Sequence, residues 1–138
     1  MNARLAALAA LLSAPLAMAG DLAGPEFTTG GLAAAVVQRG DGNTVTAGQS
    51  GRELQLAASQ RGRHNQASVT QQGSSNTVEL RQNGNDNDAT VIQAGAGNSA
   101  AIDQQGSFNS ARVEQYGHDA GARVTQTGNG KRAIVIQH

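Results

Sequence analysis

The sequence predicts an all-β fold. We expect a cross-β-like β-solenoid of about five 22-residue rungs, each made of two 11-residue strand–turn units, forming two facing parallel sheets. Three observations predict it. Gln recurs every eleven residues, at Gln38, Gln49, Gln60, Gln71, Gln82, Gln93, Gln104, Gln115, Gln126 and Gln137. Gly stands two residues after the first nine of these, at Gly40, Gly51, Gly62, Gly73, Gly84, Gly95, Gly106, Gly117 and Gly128. Between them, small or apolar residues alternate with mostly polar ones. An eleven-residue period also suits a right-handed helical coiled coil. A helix stripe needs gaps of three and four, however, and a Gly in each repeat would cost a helix about 1 kcal/mol every time.

Residues 1–19 read as a secretory signal peptide. Arg4 supplies a positive start, Leu5, Leu8, Leu11 and Leu12 form a short apolar stretch, and Ala17-Met18-Ala19 is a small-residue cleavage site. The apolar run is far shorter than the ~20 residues that span a bilayer. Residues 20–31 hold Pro25 and several glycines, and are expected to be a flexible leader without strand or helix. Residues 32–138 are the repeat domain.

Residues 32–37 fit the repeat phase as an extra first strand, with Leu32, Ala34 and Val36 inward. In the following units, Asn occupies the fifth position after Gln at Asn43, Asn65, Asn76, Asn87, Asn98 and Asn109. Two and four residues further on stand small or apolar residues, such as Ala67 and Val69, or Ala89 and Val91. A spacing of two is strand alternation, one face buried and the other wet. The segment Gln-x-Gly-x-x-Asn is the turn, because Gly accepts positive φ without steric cost and Asn tolerates the left-handed region. A strand of about six residues and a turn of about five make one side of a flat coil. Units from Gln38, Gln60, Gln82, Gln104 and Gln126 should stack in one sheet, and those from Gln49, Gln71, Gln93 and Gln115 in the other.

The in-phase Gln and Asn are expected to point inward and stack on their own kind one rung away. Side-chain amides both donate and accept, so stacked copies can hydrogen-bond along the axis. They also fix register, since a one-residue slip would bury the polar face. The apolar interior is thin, mainly Ala and Val, so an isolated chain gains little from burial and end-to-end stacking should help it. The last unit is atypical. Lys131 takes the Asn position, Arg132 follows it, and Ile134 and Ile136 fall on the outward face. A normally closed rung would bury the Lys131 charge, a cost of several kcal/mol when unpaired.

No set of catalytic residues emerges, and the chain reads as a non-enzyme. His64, His118 and His138 lie at turn or terminal positions without metal-ligand spacing. Asp86 and Asp88, flanked by Asn85 and Asn87, lack the calcium-loop pattern. No cofactor, metal or small-molecule substrate is expected. Ten basic side chains balance ten acidic ones, which argues against a strongly basic nucleic-acid binder. The chain has no Cys, hence neither disulfide framework nor thiolate metal site.

The pattern Gln-x-Gly-x-x-Asn-x-Ala-x-x-x-Gln resembles the curlin repeat of bacterial curli, the extracellular amyloid fibres of biofilms. Units 60–71, 82–93, 93–104 and 104–115 match every fixed position, including Ala67, Ala89, Ala100 and Ala111, and unit 71–82 departs only at Val78. Leu54 and Ala120 replace Asn in two further units. The start Asp21-Leu22-Ala23, with Glu26-Phe27, is similar to that of the minor curlin subunit, as is Lys131 in the Asn position of a late unit. The resemblance implies a secreted amyloid subunit on the surface of a Gram-negative bacterium. It further implies export through an outer-membrane curli pore with accessory factors, self-assembly, and co-assembly with a major curlin subunit. The role implied is nucleation, for adhesion and biofilm. The alternatives are the major fibre subunit and, more distantly, a soluble monomeric β-solenoid binding module.

Overall fold

The computed structural model describes residues 22–23, 27–29 and 31–138. Residues 1–19, read from the sequence as a signal peptide, lie outside the described residues. The described residues form twelve strands: β1 (Leu22–Ala23), β2 (Phe27–Thr29), β3 (Leu32–Arg39), β4 (Thr44–Arg52), β5 (Gln55–Arg63), β6 (Gln66–Ser74), β7 (Thr77–Asn85), β8 (Asp88–Ala96), β9 (Ser99–Ser107), β10 (Ser110–His118), β11 (Gly121–Thr127) and β12 (Arg132–Gln137).

Successive strands alternate between two sheets. One runs β1-β3-β5-β7-β9-β11, with β2 also on β3, and the other runs β12-β10-β8-β6-β4. From β3 onward every pairing is parallel, and each residue sits beside the one 22 positions later, as Gln60 beside Gln82 and Val91 beside Val113. Ten strands therefore make five rungs of a β-solenoid. The repeat period dictates this register, because any slip would set polar side chains into the interior.

Three details differ from the sequence-based expectations. The strands β4 to β10 are nine residues long and run through the Gln-x-Gly segment, leaving only pairs such as Glu53-Leu54 and His64-Asn65 between strands. The bend continues the ladder because the neighbouring rung makes the same bend beside it. The residue in the left-handed region is the one before the Asn position, not Asn itself: Glu53, His64, Ser75, Asp86, Phe108 and Asp119 have φ of 54–60°. Gly42, Gly97 and Gly130 take the same place, with φ of 65–70°. The third difference is in the leader. β1 and β2 pair antiparallel with β3, Leu22 opposite Gln38 and Phe27 opposite Ala34. An unpaired strand edge accepts any extended backbone, so no side-chain pattern signals such pairing.

The core is a narrow stack of alanine, valine and a few larger aliphatics, including Leu56, Leu80, Val91, Ile102 and Val113. Val36, Ala122, Ala133 and Val135, in the first and last rungs, are only partly covered. The outward columns do not repeat. Thr46, Ser68, Thr90, Arg112 and Ile134 lie side by side on one sheet, and Ser59, Arg81, Asp103 and Thr125 on the other. In a parallel register, a repeated charge would stack on its own kind at about 4.8 Å and repel it, so the conserved spacing of the interior has no counterpart outside.

Candidate functional site: the amide ladders and the two end rungs

Two lines of glutamine run the length of the solenoid. In one sheet Gln38 Nε2 donates to Gln60 Oε1 at 2.7 Å, and the pattern continues through Gln82 and Gln104 to Gln126 at 2.7–2.9 Å. In the other, Gln49, Gln71, Gln93, Gln115 and Gln137 are joined in the same way at 2.8–3.1 Å. Every link has one polarity, with the earlier residue donating to the later.

From Gln49 onward, each ladder glutamine also ties the two sheets together. Gln60 Nε2 reaches the Thr44 carbonyl at 3.0 Å, Gln71 reaches that of Gln55 at 3.1 Å, and Gln82 reaches that of Gln66 at 2.8 Å. The acceptor always lies 16 residues earlier, at the start of a strand in the opposite sheet. The side chain thus brings an amide donor from one sheet to a backbone carbonyl at the start of the opposite strand. This is why glutamine, with a donor and an acceptor on a long stem, fits the position and an aliphatic residue does not.

The asparagines close the corners. Asn87 Nδ2 donates to Asn65 Oδ1 at 3.0 Å and to the Gly106 carbonyl at 2.8 Å, while Asn87 Oδ1 accepts the Asn109 amide at 3.1 Å. Asn43, Asn65, Asn76, Asn98 and Asn109 donate in the same way to the carbonyls of Gly62, Gly84, Gly95, Gly117 and Gly128. All six are buried. Among the described residues, no buried side-chain nitrogen or oxygen lacks a partner.

The glycine column beside them is set by contact as well as by φ. A Cβ on Gly84 would stand 1.8 Å from the Gly106 carbonyl oxygen, and one on Gly62 would stand 1.9 Å from that of Gly84. Gly40, Gly51, Gly73, Gly95 and Gly106 meet the next rung equally closely. Gly117 and Gly128 have no rung beyond them, and the nearest atoms to a Cβ there are at 3.8 and 3.2 Å. The sequence pointed to turn glycines through φ alone. The stacking of glycine on glycine was readable only from the pairing of residues 22 apart.

The units that depart from the pattern lie towards the two ends. Leu54 fills the Asn position of one corner and is fully buried. Its side chain offers no carbonyl to the rung beyond. Ala120 and Lys131 occupy the same position in the last rung, where their backbone N–H groups donate to Asn98 Oδ1 and Asn109 Oδ1 at 3.1 and 3.0 Å. Lys131 is exposed, not buried as a closed rung would require, because no further rung covers it. Arg132 is exposed as well. Ile134 and Ile136 stand on the outer face with about half of their surface exposed, 51% and 53%. Nearby, Tyr116 and His138 stack with ring centres 5.5 Å apart.

The titratable groups are peripheral to the ladders. Arg112 and the Tyr116 hydroxyl donate to Glu114, and this holds its carboxyl below the usual glutamate range. The same hydrogen bond raises the Tyr116 phenol. Partial burial pushes the Asp88 carboxyl up. His64 and Asp86 lie 3.6 Å apart at one exposed corner. What the arrangement offers is a repeating backbone and amide surface that ends abruptly at β11 and β12, while β1 and β2 lie along β3 at the other end.

Residues 53–84 and 84–117 each match the family model described as curlin associated repeat, together a little under half of the chain. No curated protein and no solved structure matches the chain. The match supports the curlin family, and it spans the corners of Asn65, Asn76, Asn87, Asn98 and Asn109 together with that of Leu54.

Proposed function

We propose that this chain is a secreted structural subunit of curli-type amyloid fibres, acting as the minor subunit that nucleates a major curlin at the cell surface. The observation that carries this reading is the pair of in-register glutamine ladders, which end in rungs able to accept another rung of the same kind. An open parallel edge with a matched amide at each corner is a template for addition of the next strand. The succession of a basic start, an apolar stretch and a small-residue cleavage site in 1–19 supports export, and the outer-membrane curli pore is the route in this reading.

The nucleating role draws on the last unit. Lys131 in the Asn position and the exposed Ile134 and Ile136 make this end unlike a generic rung and suited to a docking or anchoring contact. Adhesion and biofilm formation follow as the setting in which such fibres act.

The test is fibrillisation of the chain from residue 20 onward, alone and at a few per cent in a solution of a major curlin, followed by amyloid-dye fluorescence. A nucleator forms β-rich fibres and abolishes the lag phase of its partner. Fibres with no effect on the partner's lag would make the chain a major-type subunit. A chain that stays monomeric for days would be a soluble solenoid module.

A further inference from the structure

The two ends of the solenoid are chemically opposite. Every ladder glutamine donates toward the C-terminal end, so Gln126 and Gln137 each accept from the preceding rung and turn Nε2 to the carbonyls of Ser110 and Gly121. A primary amide has two hydrogens, so one on each remains for a rung beyond. At the other end, Gln38 and Gln49 begin the ladders as donors, and their Oε1 atoms are the complementary acceptors. Continuing the 22-residue step past the last rung sets Ala33 and Gln38 of a second copy beside Gly121 and Gln126 of the first. It likewise sets Val45 and Gln49 beside Ala133 and Gln137. Head-to-tail contact of this kind does not close on itself, and it generates a filament.

The first rung is not free to make that contact. β1 and β2 lie antiparallel along the edge of β3 that the preceding copy would use, with Ala23 opposite Val37 and Thr28 opposite Ala33. β11 and β12 have no such cover among the described residues: each pairs on one side alone, with β9 and β10.

We propose that the leader strands β1 and β2 are a displaceable guard on the first rung, and that a second copy of this chain docks through its first rung onto the exposed last rung only after its own guard has swung away. The guard consists of two short antiparallel ladders, whereas docking supplies strand-length parallel ladders on both sheets and two glutamine links. The exchange therefore favours the docked state. Opening the guard sets its rate. An antiparallel cover also cannot be extended by a parallel, in-register neighbour, which is how it keeps the edge from templating wrong pairings.

This inference rests on the reading of the chain as a self-assembling subunit, and the test separates the two. The chain has no Cys, and Ala23 and Val37 are directly opposed across an antiparallel pair, a spacing that suits a disulfide. The variant A23C/V37C, its bond checked by mass, should lock the guard when oxidised. Fibre growth seeded with wild-type fibres should then slow at least about tenfold and return to the wild-type rate on reduction. The variant A23P/T28P weakens the guard without cross-linking and should shorten the unseeded lag several-fold. Equal growth of oxidised and reduced protein, or an unchanged lag in the proline variant, would overturn the guard. If the wild-type chain itself forms no fibres, the subunit reading falls.

Discussion

Val91 and Val113 in the central rungs are fully buried, whereas Val135, their equivalent in the last rung, is only partly covered. The same holds for the corners: Asn87 is held from both sides, while Lys131 at the end donates its backbone amide to Asn109 and leaves its side chain exposed. The chemistry of a unit is therefore completed by its neighbours. A rung on each side takes a core side chain such as Val91 or Val113 to full burial, so stability is shared along the stack and the last rung is its weak point. The difference teaches that the exposed surface of this protein is an interrupted interior, carrying the hydrogen-bonding groups of a rung without the rung that would use them.

Substitutions can break this comparison or sharpen it. The largest effect is expected from Gly84→Ala, which places a Cβ within 1.8 Å of the Gly106 oxygen at a φ of 131°. Overpacking and strain together should cost about 4 kcal/mol, seen as a lower urea midpoint. Gly117→Ala, with nothing nearer than 3.8 Å, should cost only the strain. Equal losses at the two sites would mean that φ, and not contact between rungs, selects glycine.

Truncating the core comes next. Leu80→Ala should lower stability by about 3 kcal/mol, and Val135→Ala by under about 1 kcal/mol, measured by the same unfolding curves. At the corners, Asn87→Ala strips a partner from the buried Asn109 amide and the Gly106 carbonyl. It should cost about 2 kcal/mol. Lys131→Asn should change the stability of the monomer by less than about 0.5 kcal/mol, since the position is exposed. It should reduce nucleation of a partner, as judged by the lag. If it affects neither lag nor surface attachment, the last unit has no special role.

The smallest effect is that of acid. Glu114 is held in its charged form by Arg112 and Tyr116, so its contribution is complete above the ordinary glutamate range and fades as pH falls through its lowered folded value. Asp88 has the opposite sign. Burial raises its folded value, so its penalty is complete above that value and is relieved as pH falls through it. Glu114→Gln should leave the Asp88 trend alone, giving a urea midpoint that rises slightly as pH falls through the raised Asp88 value.

Much of the fold was legible because the repeat writes its register into the sequence. Residues such as Gln60, Gln82 and Gln104 recur at a step that only a parallel, in-register stack can use. The left-handed residue was missed, although a signal for it existed. Gly42, Gly97 and Gly130, with Asp86 and Asp119, put left-handed-tolerant residues one place before the Asn position. The more regular Asn column next to them is the stronger pattern. The leader pairing left no such signal, because it uses backbone groups of residues that obey no period.

By itself, then, the sequence determined the period, the alternation of buried and exposed faces, the sorting of units into two sheets and the places where amides recur, because burial and identical stacking act on side chains. Only the tertiary structure decided which groups the amides reach, why glycine meets glycine, and which edges stay uncovered. Those depend on how close two rungs approach and on backbone groups that every residue carries alike.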